Sequence, residues 1–323
     1  MDLPPYPIKF KPILKEKVWG GTKLKDLLNK ETTSDIVGES WEISGVDGSV
    51  SIVENGPLKG KSLQEIIQIH KERLVGESVY NKFGNQFPLL FKFIDAREDL
   101  SVQLHPDDAL AKKRHNSFGK TEMWYIVQAD EGAELIMGFN TSIDKGKYQK
   151  HLEENTLEKI LHREKIKKGD AFYITPGTIH AIGAGTLLAE IQQTSDITYR
   201  VYDWNRPDTD GKPRELHTDL ALDAIDFESK NHKLVTHINN PEFLIHSPYF
   251  STSVITVQEN SSSRDFSKID SFVVYMCVEG SILLKIANNS VNLSIGETVL
   301  IPACAKEVHF QDGSAKLLQV FVP

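Results

Sequence analysis

Residues 168–180 read Lys168-Gly169-Asp170-Ala-Phe-Tyr-Ile-Thr-Pro-Gly-Thr-Ile-His180, and residues 295–302 read Ile295-Gly296-Glu297-Thr-Val-Leu-Ile-Pro302. Each segment is a turn glycine, an acidic residue, an apolar run of strand composition and a proline. Recurrence of one such block predicts two copies of a single β-sandwich unit, the second starting near residue 240. Asn239-Asn240-Pro241 supplies a plausible junction. The expected division is therefore 1–239 and 240–323.

The rest of the chain agrees with a mainly β reading. SVSIVENG, FPLLFKFID, EMWYIVQ, AELIMGF, TLLAEIQQ, ITYRVYDW, FVVYMCVEG and SILLKIAN are short runs rich in Val, Ile, Tyr and Phe, bounded by Gly, Pro, Asn or Asp. Many such strands at short spacing indicate a sandwich or barrel. Helical patterns are fewer. Ser62-Leu-Gln-Glu65 is a capping box that opens a helix to about Leu74. Pro106-Asp107 starts a short helix through Arg114, residues 145–164 read as one or two helices, and 214–225 as another. The expected class is all-β, two β-sandwich units decorated with helices.

With 323 residues, 40% hydrophobic and 25% charged, the chain has the composition of an ordinary globular protein. It has no run of 18 apolar residues, and its first residues lack the apolar core of a signal peptide, so the cytoplasm is the expected compartment. Cys277 and Cys304 show no spacing that reads as a zinc knuckle or redox pair, and both are expected to be small buried hydrophobes. A net charge of −8 argues against nucleic acid or an anionic membrane as partner. An anionic substrate would then need a local cluster of cations, for which Lys112, Lys113, Arg114, Lys120, Arg200, Arg206, Lys212 and Arg214 are available. Gly183-Ala-Gly185 lacks the strand–glycine–helix context of a dinucleotide site, and no P-loop occurs.

Three segments carry metal-binding chemistry. In Ser101-Val-Gln103-Leu-His105-Pro, residues two apart on a strand project together, so Gln103 and His105 share a face. The same rule puts Lys120 beside Glu122 in Lys120-Thr-Glu122, and a tight turn presents His180. Two imidazoles, one carboxylate and one amide oxygen suit a catalytic divalent ion that keeps a position open. Any one of the 11 histidines alone is more simply a surface or hydrogen-bonded residue. The argument rests on the four together.

These segments resemble the cupin pattern. Gly169, Gly177 and His180 match its second block with the proline displaced by one to Pro176. In the first block Gln103 stands at the first histidine position and His105 at the second, and Glu122 follows after a 16-residue insertion. Those departures are similar to the type I phosphomannose isomerases, and the resemblance covers nearly the whole chain. It includes Val18-Trp19-Gly20-Gly21, Gly38-Glu-Ser-Trp41-Glu42, Pro88-Leu-Leu-Phe-Lys92, Leu100-Ser-Val-Gln-Leu-His-Pro106, Lys120-Thr-Glu122, and Glu190 through Tyr199-Arg200-Val-Tyr-Asp203, in the wording of the short bacterial form. Gly119 departs from relatives that carry a polar residue before the lysine.

The resemblance implies two jelly-roll cupin units and a metal-dependent aldose–ketose isomerase that interconverts mannose 6-phosphate and fructose 6-phosphate through a cis-enediol. It implies one Zn²⁺ per chain on Gln103, His105, Glu122 and His180, with Arg200, Lys120 and Glu190 as catalytic residues and Lys92 and Ser101 as substrate contacts. Glu190 has an equally simple reading as a buried ion-pair partner, and Lys120 as an exposed strand lysine. Arg200 is expected to share a face with Thr198 and Tyr202. The expected partner is a small sugar phosphate, with no nucleic acid and no membrane, and the expected assembly a monomer or weak homodimer. The alternatives are a non-catalytic sugar-phosphate-binding regulatory cupin and an iron oxygenase, the latter a poor match to a Gln ligand. In the second unit the counterpart of His180 by offset is Glu307, with His309 off register, so that unit is expected to lack metal and to serve as a structural partner.

Overall fold

In a computed structural model describing residues 3–228, 244–258 and 263–323, the predicted β runs become antiparallel strands in three sheets, except SVSIVENG, where Ile52 and Val53 form only isolated bridges, to Ser62 and Phe10. The first sandwich packs a six-stranded sheet on a five-stranded one. The six-stranded sheet runs Ile13–Gly21, Val37–Ile43, Leu89–Ala96, Thr186–Gln193, Glu122–Ala129, Ala171–Ile174 in spatial order. The five-stranded sheet runs Tyr199–Tyr202, Val102–Leu104, His180–Ile182, Glu134–Phe139, Leu161–Lys165.

The middle strands Leu89–Ala96 and Thr186–Gln193 are buried at every position, because both faces of their sheet are covered. Residues of one parity (Ile94, Trp124, Ile126, Leu188) pack against Leu135, Met137 and Ile182 of the five-stranded sheet. Residues of the other parity (Phe91, Phe93, Met123, Tyr125, Ala189) join Phe250, Phe272, Val274 and Met276 of the C-terminal part. Helices cover the outer face of the five-stranded sheet, where Tyr148, Leu157 and Ala221 meet Val102, Leu104 and Ile136.

The C-terminal unit is one eight-stranded sheet bent over its own core. Its two long strands, Val273–Ile286 and Glu307–Phe321, change register between Cys277 and Glu279 and between Ser281 and Leu283. Such bulges bend a strand and reverse the parity of its inward residues. Val273, Tyr275 and Cys277 point into this core before them, and Ile282, Leu284 and Ile286 after. Aromatic side chains Phe266, Tyr275 and Phe310 fill the space, while Glu307 and His309 stand on the exposed side of their strand. Cys277 is buried and Cys304 partly so, both as free thiols.

The repeat read from the sequence has one turn chemistry in both copies. Gly169 and Gly296 take φ of 94° and 82°. Asp170 accepts from the Lys167 amide at 2.9 Å, and Glu297 accepts from the Ser294 amide at 2.7 Å. The strands that follow, Ala171–Ile174 and Thr298–Ile301, occupy the places the repeat predicts. The junction proposed at 239/240 lies outside the described residues. The first strand, Ile8–Lys9, pairs with Thr298–Ile301 and so belongs to the C-terminal sheet.

The helical expectations need correction at three places. The capping box at Ser62 and Glu65 is complete, but its helix, Leu63–His70, stops at Lys71, which takes φ of 46°. Residues 145–164 are a helix over Lys145–Glu153, a 3₁₀ turn over Leu157–Ile160 and then an edge strand, Leu161–Lys165. Within 214–225 only Thr218–Leu222 is helical.

Candidate metal centre

Local folding brings the predicted ligands together from both sheets. Gln103 pairs in register with His180 on one neighbouring strand and with Arg200 on the other, so the three side chains share a face. His105 follows directly on the Gln103 strand, and Glu122 opens the strand facing them from the six-stranded sheet. His105, Glu122 and His180 are fully buried, with one ligand atom each within 4.8 Å of the others. Glu122 Oε2 lies 3.7 Å from His105 Nε2, and Glu122 Oε1 lies 3.3 Å from His180 Nε2. Two ligand atoms on a tetrahedral ion with bonds of about 2.1 Å stand roughly 3.4 Å apart.

The hydrogen bonds around these residues favour a cation. His105 Nδ1 lies 2.8 Å from the Ile197 carbonyl and His180 Nδ1 lies 2.9 Å from the Thr178 carbonyl. Each ring therefore donates at Nδ1 and turns an Nε2 lone pair toward Glu122, the orientation by which proteins hold metal-binding imidazoles. Both Glu122 oxygens and His180 Nε2 are buried without a hydrogen-bond partner. Lys120 Nζ forms an ion pair with Glu122 Oε2 at 2.8 Å, and it donates to His105 Nε2 at 3.0 Å. Burial pushes the Glu122 carboxyl well above the ordinary range, against the pull of Lys120. Burial, with the Lys120 charge second, holds His180 down to about 3 and His105 well below its usual value, so both rings are neutral. Buried acceptor lone pairs left without a hydrogen bond in this way cost free energy until an ion takes them up. His105, Glu122 and His180 form a site that fits a metal ion.

Gln103, paired with His180, and Lys120, in contact with His105 and Glu122, line a cavity of about 470 Å³ together with Lys92, Ser101, Glu190 and Arg200 among others. Every predicted catalytic and substrate-contacting residue is thus on one wall system. Arg200 Nε donates to Ser101 Oγ at 3.2 Å, and Ser101 Oγ donates to Gln103 Oε1 at 3.5 Å. Glu190 is the ion-pair partner that its second reading anticipated. One oxygen accepts from Lys92 Nζ and the other from Trp124 Nε1, each at 2.8 Å. Burial would raise its carboxyl, but Lys92 and then Lys120 outweigh it and hold Glu190 down to about 2. Lys120 is not an exposed strand lysine, being only 5% accessible. Tyr202 does not join Arg200: a bulge between them pairs Arg200 with Gln103 but Tyr202 with Val102, on opposite faces.

Lys15, Lys17, Glu39 and Trp41 also line the cavity and carried no assigned role in the sequence reading. Ile13, Lys15, Lys17 and Trp19 alternate along Ile13–Gly21, the period-two signal that could have found them. Glu39 accepts from Trp41 Nε1 at 2.6 Å. Burial acts to raise its carboxyl, yet Lys92 and Lys17 leave it below the usual range. Six cations (Lys15, Lys17, Lys92, Lys120, Arg200, Arg214) and four carboxylates (Glu39, Asp47, Glu190, Asp196) line the space, with Arg214 further paired to Asp203 and Lys120 to Glu122, in a chain of net −8. Of the other basic candidates, Arg114 pairs with Asp223, Arg206 with Asp203 and Glu98, and Lys112 donates to Asn116, all away from this cavity.

Gly119 has a structural reason. A Cβ there would sit 2.6 Å from the Asp108 amide nitrogen, so the loop before Lys120 tolerates no side chain at that point.

Fold and site together define a double cupin whose first unit gathers a buried His105, Glu122 and His180 cluster that fits a metal ion. Residues 8–165 match the family described as phosphomannose isomerase type I, catalytic domain, and residues 239–322 match the mannose-6-phosphate isomerase cupin domain. Mannose-6-phosphate isomerase ManA of Bacillus subtilis is 38% identical over 280 residues, covering 85% of this chain and 86% of that protein. Mannose-6-phosphate isomerase of Streptococcus mutans is 33% identical over 307 residues, covering 94% of each. The crystal structure of a mannose 6-phosphate isomerase from Bacillus subtilis superimposes with a TM-score of 0.87 at 35% identity, covering 98% of this chain and 99% of that one. The chain belongs to the type I phosphomannose isomerase family. Among the described residues no helix is long and apolar enough to cross a membrane.

Proposed function

We propose that this protein interconverts mannose 6-phosphate and fructose 6-phosphate through a cis-enediol, with one Zn²⁺ held by His105, Glu122, His180 and Gln103. The observation that carries the proposal is three buried, under-satisfied side chains that fit a metal ion, next to a cation-rich cavity lined by Gln103, Lys92, Lys120, Glu190 and Arg200. A cavity of about 470 Å³ is of the size that takes a small sugar phosphate.

A bound ion with one carboxylate and three neutral ligands keeps a formal charge of about +1 and supplies Lewis-acid stabilisation of negative charge on a sugar oxygen, worth several kcal/mol, roughly. The side chains do the rest. The C2 proton of mannose 6-phosphate is removed, the O2 proton passes to O1, and a proton is returned at C1. Glu190 and Lys120 line the cavity and are assigned the transfer, Glu190 accepting once the substrate displaces Lys92 or Trp124 from one of its oxygens. Arg200 presents a planar cation to the enediolate oxygens, and its bond to Ser101 fixes its direction. Lys92 and Ser101 contact the substrate. The proposed compartment is the cytoplasm and the proposed assembly a monomer or weak homodimer, with residues 1–239 as the catalytic unit and 240–323 as the second.

The test is turnover in a coupled isomerase assay on protein whose metal content is measured on the same sample. Chelation should abolish activity and zinc restore it, and Gln103→Ala should lose both metal and turnover. Fully loaded protein that binds the sugar phosphate without turnover would sink the proposal in favour of a regulatory binder, and oxygen uptake with Fe²⁺ would sink it in favour of an oxygenase.

A further inference from the structure

Lys120 stands on a short segment with no regular structure of its own between the helix Asp108–His115 and the strand Glu122–Ala129. Three consecutive residues of that segment are nonetheless held from outside. The Gly119 amide donates to Asp108 Oδ1 at 2.9 Å, the Lys120 amide to the Pro106 carbonyl at 3.2 Å, and the Thr121 amide to Gln193 Oε1 at 2.9 Å. Gln193 Nε2 in turn donates to Asp108 Oδ1 at 3.0 Å. The other Asp108 oxygen accepts from the Tyr249 hydroxyl at 3.0 Å. Tyr249 comes from the C-terminal part of the chain, more than 120 residues beyond Lys120.

We infer that Asp108 is a positioning residue for the isomerase reaction, and that through it Tyr249 of the second unit fixes the direction of Lys120. The carboxylate ties together the segment bearing Lys120, the end of the strand bearing Glu190 and the C-terminal unit. Burial, with the bond to Asp108 next, pushes the Tyr249 phenol up to about 12, so it remains a neutral donor throughout the working range. The close approach that forbids a side chain at Gly119 belongs to the same clamp: the Gly119 backbone lies against the amide of Asp108. On this account the second unit takes part in catalysis by holding one proton carrier in register with the other, although none of its described residues lines the cavity. A displacement of about 1 Å in a reacting group costs on the order of 10²-fold in rate.

This inference rests on Lys120 having the role proposed above, and the experiment separates the two. Asp108→Ala, Asp108→Asn and Tyr249→Phe are prepared in the full, metal-loaded chain. Turnover, KM, metal content and hydrogen exchange of the peptide spanning residues 116–124 are measured for each. Asp108→Ala should lower kcat by roughly 10- to 100-fold with KM within about twofold and metal content unchanged, and exchange at residues 119–121 should rise. Tyr249→Phe should give a smaller loss, and none beyond that of Asp108→Ala when the two are combined. Asp108→Asn, which keeps an acceptor for Gly119 and Gln193 and can donate to the Tyr249 oxygen, should recover most of the rate. A lower melting temperature with kcat unchanged, or unaltered exchange at 119–121, would overturn the inference. A wild type that never turns over would reject the isomerase reading, while the exchange measurement would still decide whether the clamp exists.

Discussion

Lys92 and Glu190 face each other in register across adjacent strands, and almost no solvent reaches either. A buried pair of this kind is worth little against an apolar isostere, but removing one partner strands the other charge in a medium that cannot solvate it. Glu190→Gln should therefore destabilise the protein by about 3–5 kcal/mol, read from denaturant midpoints at pH 7. The acid dependence has a definite sign. Glu190 is held down to about 2 in the folded chain, below its unfolded value. Its contribution is thus present above about pH 4.5 and is lost as pH falls toward 2. Between pH 5 and pH 3 wild type should lose stability more steeply than Glu190→Gln; parallel curves would refute the pair. The residues that converge on the site were readable in the sequence in part because alternation predicts that Gln103 and His105 share a face, whereas Lys120 precedes the strand of Glu122 and reaches it from an irregular segment. Lys15 and Lys17 escaped for the same physical reason turned round. Lysines two apart on a strand most often mark a solvated face, and only the packing of the two sheets turns this one into a cavity wall. The ion pair of Glu190 was a matter of tertiary register, which no local pattern reports.

Three short helices, Leu63–His70, Glu72–Val75 and Glu77–Phe83, wrap the shared apolar core; one helix from Ser62 to about Leu74 was expected in place of the first two, and the third was not foreseen. The capping box and the apolar spacing were legible, because both act within a turn or two of chain. The break was not. Lys71 at φ 46° and Gly76 at φ 97° turn the chain so that Leu74, Val75 and Val79 all face the C-terminal unit. Asp270 of that unit accepts from the amides of Glu77 and Ser78, each at 2.8 Å, and so satisfies the start of the third helix. Gly76→Ala would put a Cβ 2.4 Å from the Asp270 carbonyl oxygen, in a backbone region that side chains rarely adopt. It should cost about 1–3 kcal/mol, seen as a melting temperature several degrees lower with metal content unchanged. An unshifted melting temperature would show that the helix junction is not locked against the second unit. The strand Leu161–Lys165 was likewise hidden from local reading. Its charged, helix-favouring residues are compatible with an edge strand once Glu134–Phe139 offers a partner.

The two units are distinguishable by repeat and by sheet, yet they are not independent in their cores. One apolar cluster contains Phe91, Phe93, Met123 and Tyr125 of the catalytic sheet together with Phe250, Phe272, Val274 and Met276 of the other unit. The N-terminal strand Ile8–Lys9 completes the C-terminal sheet, and Lys9 pairs with Glu297 at 2.6 Å. Lys30, buried, bridges Glu42 and the Gly296 carbonyl, each at 2.6 Å. The repeat in the sequence revealed two sandwiches because it encodes a local turn and strand. That they share a core could not be read there, since in a strand buried on both faces the apolar run is continuous and names no partner. Residues 1–239 alone would expose the entire apolar face of the six-stranded sheet, a patch far larger than a stable monomer shows. They would also lack Tyr249 and Asp270. Expressed by itself, this fragment should be aggregated or should bind a hydrophobic dye strongly, with no cooperative melting transition, even at saturating zinc. Sedimentation and calorimetry decide the matter: a monodisperse fragment that melts cooperatively would mean that the catalytic sandwich carries its own core. The placement of the second unit would then be no requirement of folding, and the contacts made by Tyr249 would be left as the argument for its presence.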